Sequence, residues 1–187
     1  MSNYLAVATV TLVLKNLLSE VLKKANARAD VTTLPPNSPA SSLPNPGANL
    51  FLYQVTPNAT LRNMDLPTMR SSDKLVQRSR IILDLNYLIS FYGDAAKLEP
   101  DLMLGLVVRT LHERAILNQK LISQVIKALP AADPLSKSNL ADEPELVRIT
   151  PVGLSLEELS KLWSVFFQTA YSLSVAYQVS PIQIESE

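Results

Sequence analysis

The stretch IILDLNYLISFYG, residues 81–93, determines the class of fold that the sequence predicts. Apolar and polar side chains alternate along it with a period of two, which is the pattern of a β-strand with one face in a core. The apolar positions are Ile81, Leu83, Leu85, Tyr87, Ile89 and Phe91, and the polar ones are Asp84, Asn86 and Ser90. We therefore predict a long strand with one buried face and one partly polar face.

Other stretches predict strands that accompany it. In NLFLYQVT, residues 49–56, one face carries Phe51, Tyr53 and Val55, and the other carries Leu50 and Leu52. A strand that is apolar on both faces belongs inside a sheet or at an interface. Residues 171–179 (YSLSVAYQV) also alternate, and the short runs 30–34 and 145–150 give weaker strand predictions.

The remaining periodic segments predict four helices, over residues 3–27, 99–115, 118–129 and 155–168. Ser2 is the expected N-cap of the first helix. The fourth begins with a capping box, in which Ser155 and Glu158 each satisfy a backbone N–H group of the other. Helices and strands within 187 residues predict a single α+β domain that spans residues 1–187.

Two long connections interrupt this pattern. Five of the 13 prolines lie in a connector over residues 31–47, and no charged residue occurs between Val31 and Leu61. Two interpretations stay open for the connector: a surface loop with a buried strand, or a segment that lies partly against a neighbouring subunit. Residues 57–80 form a long insertion with five basic and two acidic residues, a bias that suits an acidic protein face.

The composition points to a protein partner and away from chemistry. Basic and acidic residues are equal at 17 each, so the chain lacks the charge that nucleic acids or acidic membranes attract. It has no cysteine and one histidine, His112, so we predict no catalytic residue, no metal site and no cofactor. The apolar run from Tyr4 to Leu14 is too short to span a bilayer, so we predict no membrane insertion.

One aromatic group leaves a ligand-binding alternative open. Trp163, Phe166, Phe167 and Tyr171 follow one another at nearly helical spacing near the C-terminus. Such a group is usually part of a core, and a small-ligand site is the other interpretation.

Several blocks of the chain resemble a known family. These blocks are MSNYLAVATVT, NLFLYQVTPNATLRNMDLP, LDLNYLISFYGD and LSLEELSKLWSVFFQTAYSLSVAYQ. They are similar, in the same order, to the N-terminal domain of the cap, or tail-terminator, proteins of extracellular contractile injection systems of the antifeeding-prophage and Photorhabdus virulence cassette type. The resemblance covers nearly the whole chain.

The resemblance implies a fold and a function. The fold is a phage tail-terminator-like α+β structure, with a mixed or antiparallel sheet flanked by helices. The implied function is that of a cap, a homohexameric ring at the baseplate-distal end of the particle. It contacts the inner tube protein and the contractile sheath protein, stops the polymerisation of both and joins tube to sheath. The alternative is another structural component of the same particle, on the tube-initiating or baseplate side. The particle assembles in the bacterial cytoplasm, with later release and membrane association both left open.

The sequence also suggests contact residues for such a cap. In the basic insertion these are Arg62, Asn63, Arg70, Lys74 and Arg78. An unpaired strand edge, supplied by residues 49–56 or by residues 171–179, is the second candidate, because it can accept a strand from a sheath neighbour. Val55 represents the first of these strands, and Tyr171 and Val175 represent the second.

Overall fold

A six-stranded sheet organises the protein in this computed structural model, which describes residues 2–61, 80–143 and 147–185. The strands are β1 (Asp30–Thr32), β2 (Gly47–Pro57), β3 (Arg80–Tyr92), β4 (Ile116–Leu117), β5 (Val147–Val152) and β6 (Ser174–Glu185). Their spatial order is β1-β2-β3-β6-β5-β4, and β1 and β2 are parallel while every other neighbouring pair is antiparallel. The predicted α+β fold with a mixed sheet is confirmed.

Helices lie on both faces of this sheet. The helices are α1 (Ala6–Ala25), α2 (Glu99–Glu113), α3 (Gln119–Lys127) and α4 (Leu156–Ser164). Helices α1, α2 and α3 pack on one face, where Leu18, Leu50 and Leu85 belong to the main apolar core. Helix α4 contacts the other face, since Trp163 Nε1 donates to Ser174 Oγ at 3.2 Å.

Helix α1 starts later than predicted, and Ser2 is not its cap. Leu5 occupies the N-cap position and makes no capping hydrogen bond with its side chain. The hydroxyl of Ser2 instead donates to the carbonyl of Gln183, and Glu185 N donates to Ser2 O at 3.1 Å. The N-terminus is therefore tied to the last strand. The β-branched residues of α1 are helical because burial compensates for their weak propensity, as at Val10 and Val13.

A bulge in β2 overturns the predicted division of its faces. Leu52 pairs with Tyr87 and Gln54 pairs with Asn86, so Tyr53 is an extra residue without a partner in β3. Beyond the bulge Val55 pairs with Leu85 and shares the face of Leu52, not that of Phe51. One inserted residue thus exchanges the two faces of a strand, and a strictly alternating pattern cannot reveal it.

The last strand differs from its prediction at both ends. Residues 171–173 precede β6, which starts at Ser174 and continues through Pro181 to Glu185. Leu83 pairs with Ile182 and Leu85 with Val179, so Pro181 lies at an irregularity where its missing N–H group interrupts little. Strand β6 lies between β3 and β5, and the prediction that residues 171–179 supply an open sheet edge is wrong.

The proline connector is attached to the sheet through one buried side chain. Asn49 in β2 is fully buried. Its Oδ1 accepts from Thr32 Oγ1 at 2.8 Å and from Leu34 N at 3.0 Å, and its Nδ2 donates to Leu34 O at 2.8 Å. These bonds fix the start of the connector beside β1, the weakly predicted strand that the structure confirms. The assignment of residues 1–187 to one domain stays a prediction.

Candidate assembly interface

The described residues offer no constellation for metal chemistry. Across residues 2–61, 80–143 and 147–185, no group of three or more His, Cys, Asp or Glu side chains is placed to hold a metal ion. His112 lies on the exposed side of the last turn of α2. Within the same residues, no helix combines the length and the apolar character needed to cross a bilayer.

The outer edge of β2 is largely open in the described structure. Strand β1 pairs only with Gly47, Ala48 and Asn49. No other described strand pairs with the outer side of β2, so its stretch from Leu50 to Pro57 keeps a free edge within the part of the chain that the structure covers. The prediction that residues 49–56 supply an edge agrees with this topology.

The hydrogen-bond phase shows which backbone groups point outward from this edge. Pro57 pairs with Leu83, and the next residue, Asn58, donates its N–H to Ile82 O at 2.8 Å. Bonded and non-bonded pairs alternate along an antiparallel ladder. The pair of Val55 and Leu85 is therefore non-bonded, and the N–H and C=O of Val55 point away from β3. Pro57 has the same phase, which is where a strand tolerates proline.

Helix α4 lies near this edge. The capping box predicted for it is present, with Glu158 N donating to Ser155 Oγ at 3.2 Å and Ser155 N donating to Glu158 Oε2 at 2.8 Å. Burial raises the pKa of the Tyr53 phenol, and the Glu158 carboxylate adds to the effect. Phe51 of β2 and Phe166, just beyond α4, have ring centroids 5.5 Å apart, which places the end of α4 beside β2.

An exposed apolar segment, residues 165–171, follows α4, and Leu156 at the start of α4 is exposed as well. The exposed fractions are 84% for Leu156, 74% for Val165, 78% for Phe167 and 60% for Tyr171. Within this segment Gln168 has a φ of 57°, the left-handed region that non-glycine residues rarely adopt. Strained backbone beside exposed aromatic rings is a feature of contact surfaces.

The aromatic group divides between core and surface. Trp163 is 6% exposed and makes edge contacts with Phe166 and Tyr171, with ring centroids 6.0 and 5.5 Å apart. Phe166 also meets Phe51 at 5.5 Å. The core interpretation is right for Trp163, whereas Phe167 is exposed because α4 ends at Ser164 and the helical spacing does not continue. The rings pack on one another edge to face.

The predicted contact residues fall in different places. Arg62, Asn63, Arg70, Lys74 and Arg78 lie outside the described residues. Val55 is 44% exposed at the open edge of β2, and Tyr171 is exposed in the loop before β6. Val175 packs against the core from β6. The contact roles of all eight residues remain predictions, and the structure does not bring Val55 and Val175 onto adjacent strands.

Periodicity alone does not predict the exposure of the other apolar residues in this region. Leu156 is the first residue of α4 and Val165 follows its last residue, and both side chains are exposed. The available signal was the count of large apolar residues between 154 and 171, which exceeds what one helix face buries.

The start of the insertion is held by a polar cluster. Asn58 Nδ2 donates to Asp84 Oδ1 at 2.7 Å, and the hydroxyl of Ser180 donates to the same carboxylate. Asn58 Oδ1 accepts from Thr60 N at 3.0 Å and from Leu61 N at 2.8 Å. The chain therefore leaves β2 in a fixed direction, next to its open edge.

Comparisons with known proteins agree with this architecture. The fold is similar to the sheath/tube terminator of PVC, an extracellular contractile injection system, in its extended state, with a TM-score of 0.59 and 15% identity over 97% of this chain and 57% of that one. It is also similar to the tube-terminating cap of the anti-feeding prophage, with a TM-score of 0.54 and 15% identity over 92% of this chain and 54% of that one.

The chain thus spans little more than half the length of these two structures. No curated protein matches it. The profile of the Pvc16 N-terminal domain family matches residues 9–187, nearly the whole chain. The resemblance predicted from the sequence is confirmed: this chain belongs to the Pvc16 N-terminal domain family.

Proposed function

We propose that this protein is a structural terminator of a contractile injection particle, which caps the inner tube and contacts the sheath at the end distal to the baseplate. The family match over residues 9–187 is the observation that carries the proposal. The similar folds of a sheath/tube terminator and a tube-terminating cap support it. The protein acts by shape and not by turnover.

A cap of this kind assembles with copies of itself. A ring of identical subunits needs a heterologous contact, in which two different surfaces of the subunit meet. We propose a homohexameric ring, with assembly in the bacterial cytoplasm. The exposed apolar segment that holds Val165, Phe167 and Tyr171 is one surface suited to burial in such a contact.

The open edge of β2 is the proposed contact with the sheath. An extended segment from a sheath subunit adds to this edge as a further strand, and the outward N–H and C=O of Val55 bond to it. The bulge at Tyr53 and the proline at 57 bound the accessible part of the edge. The added strand is therefore short.

Deleting the gene for this protein tests the proposal at the level of the particle. A terminator predicts particles with overlong tubes of variable length, measured by electron microscopy. Particles without any tube identify a tube-initiating component instead, and normal particles of uniform length refute the proposal. Particle images from the complemented strain, with the protein labelled, should show label at one end only.

A pair of proline substitutions tests the edge contact. Val55→Pro removes an outward N–H and leaves the β2–β3 ladder intact, so the protein should fold while cap binding to sheath is lost. Thr56→Pro is the matched control, because the ladder phase directs its N–H toward β3 and its substitution should destabilise the fold. Normal attachment of folded Val55→Pro to sheath rules out this contact without excluding a terminator role.

A further inference from the structure

A cleft on the far side of the sheet from β2 has no role in the proposed function. It lies where α2 ends, β4 forms the last strand and α3 begins, and its volume is about 420 Å³. Residues that line it include His112, Arg114, Ile116, Asn118, Lys120 and Gln124. Its volume is within the range of roughly 300–1,000 Å³ that is typical of binding sites.

The cleft is built by two well-defined helix ends. Asn118 caps α3, with its Oδ1 accepting from Leu121 N at 2.8 Å. Gln119 Nε2 donates to Glu143 O at 2.6 Å and fixes the first turn of α3. On the other side Arg114 N donates to Thr110 O at 2.9 Å at the end of α2. Hydrogen-bonded backbone at the end of α2 and at the start of α3 therefore forms the walls of the cleft.

The charge of the cleft is positive although the whole chain is neutral. Arg114 and Lys120 are both exposed, and among the described residues neither has an acidic partner within salt-bridge distance. The acid in the lining, Glu113, faces Arg109, with 3.8 Å between Arg109 Nε and Glu113 Oε1. Within the described part of the chain neither side chain is held in a salt bridge, although Arg114 lies close enough to the Glu20 carboxylate to add to the effect of Lys24 in lowering the pKa of that group.

The floor of the cleft offers backbone groups as well as charge. Ile116 pairs with Arg148, and the adjacent Ala115 accepts from Ile149 N at 2.8 Å. The alternation of the ladder makes Ile116 and Arg148 a non-bonded pair, so the N–H and C=O of Ile116 point outward from the sheet. The Ile116 side chain is 40% exposed, and its register partner Arg148 is also exposed but lies outside the lining of the cleft.

We propose that this cleft binds an extended acidic peptide segment of a partner protein. The segment lies along the β4 edge, hydrogen-bonds to the Ile116 backbone and places its carboxylates on Arg114 and Lys120. Outward N–H and C=O groups at the floor match a polypeptide backbone, whereas a phosphate polymer uses only the donor. The site is at the opposite edge from β2, so it stands independently of the terminator role.

Fluorescence anisotropy with a labelled peptide tests the inference. The probe is a fluorescein-labelled heptapeptide, Gly-Glu-Val-Glu-Val-Glu-Gly, titrated with the full chain at low salt. Lys120→Glu and Arg114→Glu should each weaken binding by roughly tenfold, because each change replaces attraction to the peptide carboxylates with repulsion. Lys127→Glu is the matched control, because Lys127 is exposed on the same helix outside the cleft and should leave affinity unchanged.

Several results overturn the proposal. Equal losses for Lys120→Glu and Lys127→Glu indicate unspecific attraction, and a lack of saturable binding up to about millimolar peptide excludes a useful site. Equal affinity for a peptide in which proline replaces both valines shows that the peptide backbone does not hydrogen-bond to Ile116. Tighter binding of single-stranded poly(dT), also lost in Lys120→Glu, identifies a phosphate polymer instead. Increased self-association of Lys120→Glu with unchanged peptide affinity shows that the cations protect the edge. Circular dichroism of each variant confirms that it is folded.

Discussion

Replacing Asn49 by alanine should destabilise the protein by about 2–4 kcal/mol. The side chain is fully buried and makes three hydrogen bonds, two to the backbone of Leu34 and one to the hydroxyl of Thr32. Each bond has a net contribution of roughly 0.5–1.5 kcal/mol, and losing one partner leaves the other unsatisfied. Leu34 is half-buried, so water can form some of the hydrogen bonds that Asn49→Ala removes, which limits the loss of stability.

The effect should be largest where the connector begins. Leu34 precedes Pro35 and Pro36, neither of which has an N–H group to offer the sheet, so Asn49 carries the link between connector and sheet. Asn49→Asp should lower the free energy of unfolding at least as much at neutral pH. A carboxylate can still accept from Thr32 and Leu34, but it has no N–H group to donate to the Leu34 carbonyl, and the two oxygens repel each other.

Guanidinium unfolding measures the change in the free energy of unfolding, provided that its dependence on denaturant concentration is the same for both proteins. Hydrogen exchange measures how well the Leu34 amide is protected. Asn37→Ala is the control, since Asn37 is an exposed asparagine of the same connector, and it should change stability by less than about 0.5 kcal/mol. A similarly small loss for Asn49→Ala, with Leu34 still protected from exchange, would refute the hydrogen-bond argument.

Two further perturbations follow from the structure. Burial raises the pKa of the Tyr87 phenol, whose hydroxyl lies 2.8 Å from that of Thr11. The phenol is therefore deprotonated at a lower pH in the unfolded chain than in the folded protein. The free energy of unfolding should fall as the pH rises above about 10. Tyr87→Phe should reduce that fall by up to about 1.4 kcal/mol per pH unit, measured by urea unfolding, and an unchanged slope contradicts the assignment. Gln168→Gly should stabilise by about 0.5–1 kcal/mol, because glycine adopts a φ of 57° without the steric penalty. Thr169→Gly, at an ordinary φ, should destabilise in the same thermal assay, and equal effects of the two changes would count against stored strain.

Local signals in the sequence predicted local structure well. The alternation of residues 81–93 gave β3, and the spacing of Ser155 and Glu158 gave a capping box with both hydrogen bonds in place. Each of these features depends on residues that are close to one another in the sequence. Their free energy is decided by neighbours in sequence, so a pattern of residue types is enough to predict them.

Non-local features were beyond such patterns. The position of β6 between β3 and β5 depends on which strands pair, and an apolar alternation is the same in an edge strand and in an interior one. The bulge at Tyr53 leaves no mark in residue type, yet it moves Val55 to the other face. The end of α4 at Ser164 is likewise not marked by residue type, because apolar residues continue to Phe167 although the helix does not.

The geometry of the β2 edge bears on the proposed terminator role, because a terminator must not become a polymer itself. A long, flat, open edge pairs with any strand and invites unlimited addition. Here the bulge at Tyr53 twists the strand on one side of Val55, and Pro57 offers no N–H on the other. An incoming strand can bond at Val55 but cannot extend past Pro57 in the same register. In the proposed terminator role this edge would accept one short segment, which is the property that a subunit ending a tubular assembly requires.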